Sequence, residues 1–253
     1  MIYIHFFALL GMSAIGFSFR EARRKRGALA GFWFAALFFS AFLIRICAAA
    51  LAKGFDNDTA CFASWAERIC QTGPGGFYSP SVFTDYPPGY FYVLWLIGSL
   101  RSLLGLAYYS AIHLLLLKLP AILSDMACGL LLFREASQKT SRHQAFFLCA
   151  AFLFNPAVIL NSSVWGQVDS LFTLAVVILC LSLIRKKMCP AFIAFGAGLL
   201  IKPQMLLFGP VLLAGVIDWL FPKDQDRTSQ YWKGFWHRLL CCIVQGLSVV
   251  LGC

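Results

Sequence analysis

Charge is what this sequence has least of. Charged residues make up 13% of the chain, against roughly 25% in a soluble domain, and only 11 of them are acids beside 21 Lys and Arg. That shortage excludes an ordinary soluble fold. Strict alternation of apolar and polar residues is missing too, which argues against a β-barrel. Only four histidines occur (His5, His113, His143, His237), and they are scattered, so no metal site follows from them. The ten cysteines supply neither a CxxC pair nor zinc spacing. Cys47, Cys128, Cys149 and Cys180 fall inside apolar runs, where a small core residue is expected. A disulfide between Cys61 and Cys70 needs an oxidising compartment and is opposed by the helix predicted between them.

What remains is 60% hydrophobic, with continuous runs long enough to cross a hydrocarbon core of about 20 helical residues. The expected fold is all-α: a polytopic transmembrane helical bundle with a long outer first loop carrying amphipathic interfacial helices. The net charge of +10 does not point to nucleic acid, because no Lys/Arg stripe interleaves with aromatics on a soluble surface. The cations sit in short loops between apolar runs, where orientation signals lie.

Those loops decide the threading. Residues 1–19 form an apolar segment that ends at Arg20, Arg23, Arg24, Lys25 and Arg26; a signal peptide would carry its cations before the apolar core. Residues 27–52 run outward, and an outer loop opens at Lys53. If 88–106 crosses the bilayer, the later basic loops fall outside. If it lies in the outer leaflet, the spans 107–133, 145–161, 168–184, 190–204 and 205–221 alternate, and every basic loop faces the cytoplasm. The second threading places 15 of the 21 Lys and Arg inside, five in 20–26, three in 134–144, three in 185–187 and four in 222–238. Lys/Arg bias sets orientation, and Arg101 would be costly in a span, so the second threading is preferred. Residues 1–253 then read as one transmembrane domain: an extra N-terminal helix and basic loop (1–26), a core (27–221), and a cytoplasmic loop with an incomplete helix (222–253). The last apolar segment reaches Cys253 after about 15 residues, too few to span, so the chain is expected to be a shortened form of a longer membrane protein.

Four polar motifs interrupt the apolar background, and this threading puts all of them on the outer face. Asp56-Asn57-Asp58-Thr59 begins the outer loop. Phe62, Trp65, Ala66 and Ile69 follow at helical spacing, which predicts a short interfacial helix anchored by Trp65. A carboxylate there suits a general base toward a hydroxyl; the plainer alternative is a solvated turn. Asp85-Tyr86-Pro87-Pro88-Gly89 is a stiff entry to the next helix. Asn155-Pro156 breaks a span, and Trp165-Gly166-Gln167-Val168-Asp169-Ser170 closes it. Trp165 offers a face to a sugar ring; Gln167 and Asp169 offer hydrogen bonds to its hydroxyls. Lys202-Pro203-Gln204 interrupts another run and suits a phosphate, or a lysine snorkelling at a helix junction. Lys118 and Asp125 share a face of one predicted span, where ionisable residues are a functional signal; structural pairing and a lipid entrance stand equally. The glycosylation sequons at Asn57 and Asn161 carry little weight beside apolar spans.

These ordered motifs, from Asp58…Cys61-Phe62…Trp65-Ala66 through Asp85-Tyr86-Pro87-Pro88-Gly89-Tyr90, Lys118-Leu119-Pro120…Ser124-Asp125 and Asn155-Pro156…Gln167-Val168-Asp169-Ser170 to Lys202-Pro203-Gln204, resemble the GT-C superfamily of membrane glycosyltransferases. The nearest likeness is to bacterial mannosyltransferases related to the GPI-anchor second mannosyltransferase, over roughly 27–221. The resemblance implies an inverting hexosyltransferase of the cell membrane. Its donor would be a polyprenyl-phosphate sugar, mannose by resemblance alone, and its acceptor a lipid or glycan. Asp58 maps onto the family's base. Asp56, Trp65, Asp85, Tyr86, Lys118, Asp125, Trp165, Gln167, Asp169, Lys202 and Gln204 are the expected substrate contacts, with no cofactor and no metal required. The rival readings are a transporter or lipid flippase, which broken spans and intramembrane charges would fit, and an inactive fragment or assembly subunit.

Overall fold

A computed structural model of the chain describes residues 28–80, 82–221 and 229–252. The expected first span 1–19, its basic cluster, and Lys223 and Arg227 lie outside the described residues. Among the described residues every regular element is helical. In order these are α1 (Ala28–Leu51), α2 (Asp56–Thr72), a short turn of 3₁₀-helix (Pro74–Gly76), α3 (Pro88–Leu103), α4 (Ala111–Lys139) and α5 (Arg142–Leu153). Next come α6 (Pro156–Ile159), continuing as a π-helix over Leu160–Trp165, α7 (Asp169–Ile184), α8 (Met188–Ile201), a 3₁₀ segment (Pro203–Phe208), α9 (Gly209–Leu220) and α10 (Ser229–Gly252).

Three stretches are long and apolar enough to cross a membrane: Gly31–Leu51, Ala111–Lys139 and Pro203–Leu220. A fourth follows if Arg142–Leu153 and Pro156–Trp165, bent by 45° at their junction, count as one broken span. This is the build of an integral membrane protein. The bend has a local cause. Pro156 has no N–H to continue the ladder, and Asn155 restarts the helix by accepting from the Ala157 amide at 2.9 Å. α7 and α8 are apolar but carry 16 and 14 residues, about 24 and 21 Å of helix, shorter than the spans expected there.

The described chain divides by contact density into two compact units, where the sequence read as one domain. One takes in the chain up to Val82 and Phe91–Leu171; the other takes in Phe83–Tyr90 and the chain from Phe172 onward. In the first, α4 and α5 form a tight antiparallel hairpin. Ser141 and Gln144 cap α5 reciprocally. Gly129 lets Leu153 close in, since a Cβ there would sit 2.6 Å from Leu153 Cδ2. α1 lays Leu37 and Ala41 against Phe146, Cys149, Ala150 and Leu153 to complete that core.

α2 and α3 make the second layer of this unit. Gly98 lies so close that a Cβ would collide with the Ala66 carbonyl oxygen, and Arg101 pairs with Glu67. Trp65 is 4% exposed, packed edge-on against Phe91 and tilted against Phe62. The expectation of Trp65 as an interfacial anchor and substrate contact is therefore corrected. The side that carries Phe62, Trp65, Ala66 and Ile69 is used up by α3, which leaves no ring face for a ligand. No disulfide joins Cys61 and Cys70. They stand on the same helix nine positions apart, about 13 Å along its axis, beyond disulfide reach.

In the second unit, Leu179 of α7, Ala191 and Ala194 of α8, Met205 of the 3₁₀ segment and Leu212 of α9 share a core. Gly198 makes room for Met205 and Gly215 for Leu183. Gly89 sits against the end of α8, where a Cβ would come within 2.7 Å of the Leu200 carbonyl oxygen.

Candidate functional site

The first unit gathers Asp58, Trp165 and Gln167. Asp56 and Asp58 occupy the first turn of α2, where a helix N-terminus favours anions. Asp56 is exposed and Asp58 half-buried. Asp58 Oδ2 accepts from the Trp165 indole Nε1 at 3.0 Å and from the Gln167 side-chain amide. Both donors converge on one oxygen, so among the described residues Oδ1 carries no protein donor. Trp165 itself is 47% exposed.

The loop that delivers those donors is built by Asn161. Its carbonyl oxygen accepts from the Gly166 and Gln167 amides, both at 3.0 Å, closing the π-helix with Gly166 in the left-handed region at φ 86°. Glycine suits that conformation because no Cβ collides. The Asn161 side chain donates to Asp169 Oδ2 at 3.2 Å, so Asp169 pins the loop from its far side. Across the gap, the Phe55 amide donates to the Trp165 carbonyl at 3.4 Å, and the two rings lie 5.6 Å apart.

Lys118 supports this arrangement from inside. It is fully buried, and its Nζ donates to the carbonyls of Ala49, at 3.2 Å, and Ala52. These belong to the end of α1, where carbonyls lack helical partners and cations are favoured. Its stem passes Gly54 and Gly166, close enough that a Cβ on either would touch it. As a substrate contact Lys118 is thus corrected: no surface is left for a ligand, and its charge is committed to main-chain oxygens. Asp125 is corrected in the same way. It is buried and paired at 3.2 Å with Arg45 Nε of α1, whose Nη1 also donates to the Ala41 carbonyl at 3.2 Å.

A second polar group flanks α2. Tyr109 OH lies 2.9 Å from Thr59 Oγ1, and the Tyr109 amide donates to His113 Nδ1 at 3.1 Å. Partial desolvation, with the Glu67 carboxylate adding to it, raises the half-exposed Tyr108 phenol above its ordinary value.

The second unit holds the other motifs. Lys202 caps α8 in an extended conformation, half-buried, with its ammonium 5.7 Å from the centre of the Tyr86 ring. That distance is within cation–π range. Asp85 and Gln204 are exposed.

Sequence reasoning gave no site role to Arg45, Thr59, Tyr109 or Asn161, although Thr59 closes the first polar motif and Asn161 opens a sequon. Arg45 left a signal, a lone cation in an apolar run that demands a buried partner. The other three look like ordinary polar residues at span ends. No three His, Cys, Asp or Glu residues stand together as a metal site among the described residues. Comparison of the chain with family models, with curated proteins and with solved structures finds no match.

Proposed function

We propose that the protein is a multi-pass membrane glycosyltransferase. It moves a hexose from a polyprenyl-phosphate donor to a hydroxyl of a lipid or glycan acceptor at the extracytoplasmic face of the cell membrane. The observation that carries the reading is the convergence of Trp165 Nε1 and Gln167 Nε2 on Asp58 Oδ2. Two donors orient the carboxylate and leave its second oxygen for a substrate proton.

The reaction is a single inverting displacement. Asp58 takes the proton from the acceptor hydroxyl as that oxygen bonds to the anomeric carbon. The bond from the anomeric carbon to the phosphate oxygen breaks on the opposite side, and its electron pair leaves with the lipid phosphate. Trp165, half-exposed beside the carboxylate, gives the sugar an apolar face. The resemblance of the motifs to GT-C enzymes supports the donor class and is the sole ground for mannose.

The transport alternative drew on Lys118 and Asp125 and on the broken spans at Pro156 and Pro203; the two charged residues are the part the contacts bear on. Both are committed to contacts between helices, which weakens that alternative. The test uses undecaprenyl-phosphate-linked radiolabelled mannose with membranes holding the wild type or Asp58→Asn. Transfer in the wild type and its loss in Asp58→Asn supports the reading; undiminished transfer by the variant sinks it. Single cysteines at 58, 138, 167 and 186, in a background without native cysteines, test the topology. Labelling of 58 and 167 from outside and of 138 and 186 from inside is expected.

A further inference from the structure

We propose that Tyr109, held by His113, is a positioning residue for Asp58, fixing the first turn of the helix that carries it. Its catalytic half rests on the reading of Asp58 as the base.

The main chain of Tyr109 is unusual. Its φ is 58°, in the left-handed region that bulky side chains rarely enter. Such strain persists where the surroundings enforce it, and here they do. The Tyr109 amide donates to His113 Nδ1, and the His113 amide donates to Ser110 Oγ at 3.3 Å. His113 is fully buried. The start of α4 therefore closes on itself around Tyr109, with a fixed imidazole as the latch. Because Nδ1 accepts, the ring proton sits on Nε2.

The strained turn delivers the phenol to Thr59. Thr59 is 1% exposed, and its hydroxyl lies 3.0 Å from the Phe55 carbonyl oxygen. With that proton given to the carbonyl, Thr59 Oγ1 accepts from Tyr109 O–H. This link replaces a missing one. Phe55, the N-cap of α2, offers no capping side chain, so the turn lacks the usual local restraint. Asp58 and Thr59 are neighbours about 100° apart around the helix. Tyr109 thus restrains the turn through Thr59, while Trp165 and Gln167 hold Asp58 itself. A general base must sit within hydrogen-bond reach of its proton, and small misplacements are costly.

The experiment uses the full chain in lipid nanodiscs, with amide exchange across 53–62 read by mass spectrometry. Tyr109→Phe and Thr59→Val are each expected to speed exchange at 56–60 by about threefold or more. Thr59→Val also loses the bond to the Phe55 carbonyl, so it should be the worse single, and the double variant should match it because the Tyr109–Thr59 bond is already gone. Thr59→Ser keeps the hydroxyl and should stay near wild type, and exchange in 115–133 should not move in any of them. Unchanged exchange in Tyr109→Phe overturns the proposal, and so does an additive double variant.

With undecaprenyl-phosphate-linked radiolabelled mannose as donor, Tyr109→Phe should lower kcat by about fivefold while KM stays within about twofold. If Asp58→Asn is dead and Tyr109→Phe keeps its full kcat, the positioning role falls and the base stands. If Asp58→Asn is fully active, the base falls, and the exchange result alone decides the tether.

Discussion

Trp165 and Asp58 stand 107 positions apart in the chain, and the indole N–H of one donates to the carboxylate of the other at 3.0 Å. Gln167 reaches the same oxygen. Two polar motifs that interrupt separate apolar runs thus meet at one carboxylate. The meeting is arranged by main-chain features rather than by the motifs alone: a π-helix that ends on Gly166 and an Asn161 carbonyl that gathers two amides.

The two donors make different predictions. Trp165→Phe keeps an aromatic face and loses only the N–H. A hydrogen bond to a charged group contributes about 1.5–3 kcal/mol when well buried, and this partly exposed one sits at or below the low end. Transfer should drop about fivefold to tenfold. Gln167→Glu replaces a donor by a second carboxylate beside Asp58 and should cost more. Initial rates with the radiolabelled donor rank the two; a milder effect for Gln167→Glu counts against the arrangement.

Arg45 and Asp125 form a fully buried pair between α1 and α4. Removing one partner of such a pair strands a charge and costs about 3–5 kcal/mol. Arg45→Leu should therefore lower the unfolding midpoint in detergent sharply. The double variant Arg45→Leu with Asp125→Leu should recover most of that loss, because apolar replacements of a buried pair are often neutral. An equal loss in single and double variants would show that Arg45 acts through its shape and not its charge.

The helical class and the apolar runs were legible because hydropathy needs only composition and length. The Asp58, Trp165 and Gln167 motifs stood out because polar clusters at span ends have no cheap alternative in lipid. Trp65 was misread because an amphipathic helix looks alike whether its apolar side meets lipid or protein. The deciding contact, Gly98 against Ala66, is tertiary. Lys118 was misjudged for a related reason. A buried lysine on the last carbonyls of a helix has the same sequence signature as one facing a ligand. Tyr109 gave no signal, since a left-handed tyrosine leaves no mark in composition or period.

That same close approach gives a packing prediction. A methyl group at Gly98 would strike the Ala66 carbonyl oxygen, which belongs to the main chain and cannot swing aside. Gly98→Ala should push α3 off α2 and cost about 1–3 kcal/mol, loosening the cluster of Trp65, Phe77 and Phe91. Intrinsic tryptophan emission should shift to longer wavelength as Trp65 meets solvent. Gly31→Ala, a position with open space where a Cβ would go, is the control and should leave emission unchanged.

Lys118 separates a structural lysine from a binding one. Its ammonium holds the Ala49 and Ala52 carbonyls, and its stem runs beside Gly54 and Gly166. Lys118→Met preserves length and apolar stem but removes the donors, leaving two helix-end carbonyls unsatisfied at about 1–3 kcal/mol each. The end of α1 should then fray, and because Gly54 leads directly into α2, Asp58 should lose its register with Gln167. The variant is expected to lower the unfolding midpoint and kcat together, with KM for the lipid-linked donor little changed. A rise in KM of tenfold or so at wild-type stability would instead return Lys118 to the substrate contacts.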